Sequence, residues 1–153
     1  MQAQELAIGI GIPNILQPGL VKEMIIADLL GHELLYSKRD ADACDPDDRN
    51  IKYEYLSCYE NGAGQMDRMF KEPEEKRKSS LQRILRNQKV FLAIFYKKSP
   101  LKIKVIYELE PKVVAAEAER QLDKSRNAIS HVAFTEKWAS ENGKKIFQND
   151  LSN

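Results

Sequence analysis

The sequence has little cysteine: Cys44 and Cys58 are the two it carries in 153 residues. Two cysteines at that spacing supply neither a disulfide framework nor a CxxC metal knuckle. A reduced, cytoplasmic protein with two small buried thiols is the expectation. Glycine and proline are also sparse, at 7 and 6, which excludes collagen-like and low-complexity chains. No apolar run approaches the ~18 residues of a membrane span, so no membrane partner is expected. The opening MQAQELAIGIGIPNIL lacks a basic segment and carries Glu5, a poor composition for a secretory signal. Histidine is nearly absent. His32 and His131 stand far apart, and each reads as a satisfied surface or core residue rather than a ligand. No motif supports Ser-His-Asp catalysis. GIGIPN at 9–14 lacks both the preceding strand and the lysine of a phosphate-binding loop.

What is present describes an ordinary folded chain. Hydrophobic residues make up 42% and charged residues 31%, which excludes wholesale disorder. A chain of this length buries roughly 68–70% of its extended surface. No repeat and no Gly/Ser or Pro linker divides it, so residues 1–153 read as one domain. The net charge is +1, but it is unevenly distributed. Residues 1–57 hold ten acids and five bases, whereas 71–104 hold eleven bases and three acids. Such a division suits an anionic polymer handled by a carboxylate-bound metal. Solvated surface is the plainer account of each half.

Hydrophobic spacing gives the order of elements. An amphipathic helix is expected over 20–31, with Lys22, Glu23 and Asp28 on its wetter side and Gly31 as its stop. A short strand follows at 33–37. KRDADACDPDDRN, with five Asp in nine positions, reads as a hairpin connection. Residues 51–57 alternate: Ile51, Tyr53 and Tyr55 point one way, Lys52, Glu54 and Leu56 the other. Residues 59–75 read as irregular. A basic helix is expected over 78–88, capped by Ser79 or Ser80, with Leu81, Ile84 and Leu85 facing inward. VFLAIFY at 90–96 reads as a strand buried on both faces, paired with 101–109 in a hairpin. Pro111 opens a helix running to about Lys124, with Val114, Ala118 and Leu122 on its inner stripe. Phe134 and Trp138 read as core packing. Two short strands, ISHVAF and KKIF, are expected around a turn near residues 141–143. The sum is a mixed α/β fold, a small central sheet flanked by helices.

Asp42 and Glu54 lie on adjacent arms of the expected hairpin. If residues 39–42 and 51–57 pair, the two carboxylates converge. A hard divalent cation such as Mg2+ takes one or two carboxylates, a carbonyl and several waters. Glu54 and the carbonyl of Tyr55 complete that set. Such a site activates water for attack on a phosphodiester. Spacing alone is weak support, since composition yields many such pairs.

Several segments together carry a resemblance. They are Ile12-Pro13-Asn14-Ile15-Leu16, DACD (42–45), YEYLS (53–57), LAIFY (92–96), VIYELEPK (105–112) and ENGKKIF (141–147). Across roughly 12–147 the chain resembles the PvuII-like type II restriction endonucleases of the PD-(D/E)XK nuclease superfamily. The resemblance implies a restriction-endonuclease-like α/β (α+β) fold, a central mixed β-sheet flanked by helices. It implies a homodimer that cuts both strands of a short double-stranded DNA site with Mg2+. Asp42 then matches the first metal-binding aspartate, Glu54 the second carboxylate, the Tyr55 carbonyl the backbone ligand and Ser57 the serine after the motif. Residues 1–12 form a shorter N-terminal arm than the family's dimerising one.

Two departures stand out. The family places a lysine two residues after the Glu, and this chain has Leu56. Another cation could take that role, Lys52 on the same strand face being the first candidate. Metal-bound water could suffice. Or the chain binds DNA without cutting. The family also reads bases with a histidine cluster before the basic helix, where this chain has Glu74-Glu75-Lys76-Arg77-Lys78-Ser79-Ser80. Lys76, Arg77, Lys78, Ser80, Gln82 and Arg83 are the expected DNA contacts. Arginine and lysine favour guanine edges, glutamine reads adenine, and some of these side chains touch phosphate only.

Overall fold

The computed structural model describes residues 18–37 and 40–150. The N-terminal arm, and the 12–16 segment of the resemblance, lie outside them. The elements run α1 (Pro18–Leu30), β1 (Glu33–Leu34), β2 (Ala43–Asp45), β3 (Asp48–Tyr59), β4 (Ala63–Phe70), α2 (Glu74–Leu85), β5 (Lys89–Phe95), β6 (Ile103–Leu109), α3 (Pro111–Lys124), β7 (Ile129–Thr135), α4 (Glu136–Asn142) and β8 (Lys144–Gln148). Six strands form one sheet in the order β1-β2-β3-β5-β6-β8, and β4 pairs with β7 in a separate two-stranded sheet. Among the described strands only β3 and β5 run parallel, connected through β4 and α2; the remaining pairs are antiparallel. The chain is thus mixed α/β, a central mixed sheet with helices packed on it. Among the described residues no helix is long and apolar enough to cross a membrane.

The core follows from strand alternation. On β5, Val90, Leu92 and Ile94 face one side of the sheet, and Phe91, Ala93 and Phe95 face the other. The first set joins Leu56, Ile84, Val114, Ala118, Leu122 and Phe134 under α2, α3 and the small sheet. The second joins Ile26, Ala27, Tyr55 and Ile106 under α1. A strand covered on both faces needs a continuous apolar run, and VFLAIF supplies it. Both cysteines are buried free thiols. The rings of Phe134 and Trp138 pack with centroids 5.2 Å apart.

The structure revises several sequence expectations. The hairpin pairs residues 43–45, not 39–42, with β3: Ala43 faces Tyr53 and Cys44 faces Lys52. Asp42 sits just outside that ladder. Residues 63–70, read as irregular, form β4. Its alternation is broken by a register shift between Met66 and Met69, so the period-2 pattern is lost halfway along. Helix α2 starts at Glu74, so Ser79 and Ser80 lie inside it and cap nothing. Leu85 is 40% exposed while Ile84 is fully buried, because the helix is rotated from the expected register. Between ISHVAF and KKIF lies helix α4 rather than a turn, and the two strands join different sheets. α3 spans the expected range, with Pro111 at its first turn. α1 ends before Gly31, whose φ of +72° suits a residue without a Cβ.

Candidate active site

Asp42 stands where the β2 ladder runs out. Its backbone N–H donates to the Tyr53 carbonyl at 3.1 Å, and its own carbonyl accepts from Leu35 N–H at 2.9 Å. The residue is therefore fixed on both sides. Its Oδ2 accepts from the Tyr55 backbone N–H at 2.8 Å. A strand residue's N–H and C=O point to the same edge. The Tyr55 carbonyl accordingly points to the edge where Asp42 sits, beyond the last β2–β3 pair.

Glu54 precedes Tyr55 on β3. Its carboxyl neighbours that of Asp42, and as a donor it pulls the Asp42 pKa down against burial. Burial pushes Glu54 up to about 9, and the Asp42 charge adds to the shift. Burial also raises Asp42, against the lowering pull of the Tyr55 N–H and then of Arg86. Two neighbouring, half-buried carboxyls with raised pKa values favour holding a proton between them until a cation replaces it.

A third carboxylate joins the pair. Glu23, expected on the wet side of its helix, is half-buried on α1. Burial raises it to about 7, with the Asp42 charge as the second cause. Arg86 and Arg83, at the end of α2, favour the ionised forms of both Asp42 and Glu54. Among the described residues, no group of three or more His, Cys, Asp or Glu is arranged to hold a metal ion. Magnesium does not require one: it takes one or two carboxylates and keeps several waters. Asp42, Glu54 and the Tyr55 carbonyl fit that demand, the shared proton marking where positive charge is wanted. A divalent cation there would polarise a phosphoryl oxygen and acidify a bound water.

No family model and no curated protein matches the chain.

The remaining expected site residues are placed as follows. Lys52 Nζ is held by Asp40 Oδ1 at 2.5 Å. Arg86 and Arg83 are cations whose charge bears on both Asp42 and Glu54. Leu56 is 3% exposed and lies in the apolar core beneath β4. On α2, Lys76, Lys78 and Gln82 are exposed and Arg83 is half-buried. Arg77 bonds Asp123 at 2.7 Å and Glu119 at 3.2 Å, which ties α2 to α3. Ser80 is buried; its hydroxyl donates to the Lys76 carbonyl and accepts from Phe70 N–H.

Sequence reasoning missed Glu23 and Arg86. The basic run hinted at Arg86. Glu23 gave no usable signal, because one acid on an apolar helix looks like ordinary surface. His32 is structural: its Nδ1 lies 2.6 Å from the Tyr55 hydroxyl, and its ring stacks on Tyr53 at 3.9 Å. Burial lowers His32 and raises the Tyr55 phenol, so the two pair as neutral groups.

Proposed function

We propose that the chain is a Mg2+-dependent endonuclease of the type II restriction kind, acting as a homodimer on a short site in double-stranded DNA. The observation that carries this reading is the half-buried pair of Asp42 and Glu54 beside the Tyr55 backbone, where β3 runs on past its pairing with β2. A DNA-binding surface would repel phosphate with such carboxyls, whereas a metal-bridged phosphate needs them. In this reading Asp42 and Glu54 hold the cation and orient the water's approach. Arg83 and Arg86 stabilise the charge that develops on the phosphate, which preorganised cations do at little reorganisation cost. Exposed Lys76, Lys78 and Gln82 meet the duplex along α2.

A second reading, a relative that binds DNA without cutting, is favoured by one observation. The family's lysine position is filled by Leu56, and that residue is packed in the core. The two readings separate in one assay. Plasmid and genomic DNA are incubated with excess protein and Mg2+ or Mn2+, and the ends are mapped. Discrete double-strand ends are expected. Salt-dependent binding without any cleavage would establish the second reading and overturn the first.

A further inference from the structure

A groove of about 640 Å3 runs between β4 and α2, and its walls include Asp67, Arg68, Phe70, Lys76, Ser79 and Arg83. Three cations thus face one carboxylate. Each is held in place by a different device. The Lys76 ammonium lies 4.9 Å from the Phe70 ring centroid, a contact that orients a cation without neutralising it. Arg83 Nη1 donates to the Asp67 carbonyl at 3.0 Å. Arg68 has φ of +55°, a left-handed backbone rare for a long side chain. It sits inside the register shift between Met66 and Met69, where β4 departs from its ladder with β7. Bulges of this kind re-aim side chains, and strain of this kind persists where the surroundings enforce it.

The contrast along α2 is informative. Arg77 is doubly paired with carboxylates of α3. Among the described residues, Arg68, Lys76 and Arg83 make no ion pair with a carboxylate. Like charges gathered in a concave site repel one another until an anion enters. Arg83 also favours the ionised forms of Asp42 and Glu54, so the groove and the carboxyl pair share one cation.

We infer that this groove binds backbone phosphates of the DNA strand that flanks the scissile bond, with Arg68 and Lys76 as the outer contacts and Arg83 as the inner one. The inference rests on the nuclease reading for its ligand but not for its test. A polymer is favoured over a broad anionic surface because the groove's Arg83 also bears on Asp42 and Glu54, carboxyls that a membrane face would bring against its own charge. Phosphate contacts of this type position the duplex and carry no sequence information.

The test is duplex binding by fluorescence anisotropy in Ca2+ over a range of salt. The parent is compared with Arg68→Ala/Lys76→Ala and with Lys112→Ala/Lys137→Ala, which removes the same charge from exposed positions elsewhere. The groove variant should bind at least ~10-fold more weakly, with a salt slope shallower by about 2, roughly one per lost phosphate contact. The control should match the parent, and both variants should keep the parent's Tm. Equal losses in both variants, no loss in the groove variant, or a parent that binds no duplex would overturn the assignment. So would pyrophosphate displacing the duplex at equal phosphate concentration, which would make the groove a small-anion site. Cleavage is scored separately. Groove-dependent binding with no cutting would sink the nuclease reading alone; cutting with groove-independent binding would sink this inference alone.

Discussion

At the residue scale the carboxyl pair dictates a sign for pH dependence. Glu54 is raised from the ordinary 4.5 to about 9. Between those values the folded chain keeps a proton that the unfolded chain has released. Stability without metal therefore falls as pH rises through that window. Thermal melts in EDTA should show the parent losing about 5 °C or more from pH 5 to 9. Glu54→Gln should flatten the curve, and Mg2+ should stabilise the parent more at pH 8 than at pH 6, because metal and proton compete. A parent Tm that rises across the window would contradict the shared proton. Leu56 offers an independent check. Leu56→Lys, which introduces the lysine expected from the resemblance, puts an ammonium into the apolar cluster that holds Leu92, Val90 and Ile84. The expected outcome is a loss of roughly 3 kcal/mol in urea denaturation with no gain in cutting. Unchanged stability would mean that the side chain escapes the core.

At the scale of elements, the sequence was most legible where one period ran unbroken. β5 and α3 needed only an apolar run and an i, i+4 stripe. β4 was hidden because its bulge shifts the alternation, so Gly64, Met66 and Met69 do not share one parity. Helix α2 was offset because polar serines suggested a cap, while tertiary packing of Ile84 set the real phase. The site was half legible. Asp42 and Glu54 followed from the motif, yet Glu23 arrives from α1 and Arg86 from α2, and such a meeting is a tertiary fact. Gly64 shows how tightly β4 lies on β3. A Cβ there would stand 2.9 Å from Leu56 Cβ and 2.8 Å from Leu92 Cδ1. Gly64→Ala should cost about 1–3 kcal/mol, read as a lower urea midpoint at unchanged m-value. A neutral result would show that β4 moves freely from β3.

At the scale of the whole molecule, cutting both strands of a two-fold site calls for a two-fold protein. α1 is apolar around much of its surface, and Leu29 is 43% exposed on it. Ile25, Leu29, Ile103 and Phe147 line a shallow groove beside it. Light scattering should give twice the 17.6 kDa chain mass, and Leu29→Asp should shift it toward the single chain. A monomer at micromolar concentration with DNA present would leave nicking of one strand as the consistent activity. The central claim, that Asp42 and Glu54 hold the cation that cuts DNA, has a more direct test. Cleavage of one mapped substrate is measured in Mg2+ for the parent, Asp42→Ala and Glu54→Ala, with circular dichroism confirming that each is folded. Each substitution should lower the rate by at least ~100-fold, since each removes a ligand that acts at the reacting phosphate. Full Mg2+-dependent cutting by both folded variants would contradict the site.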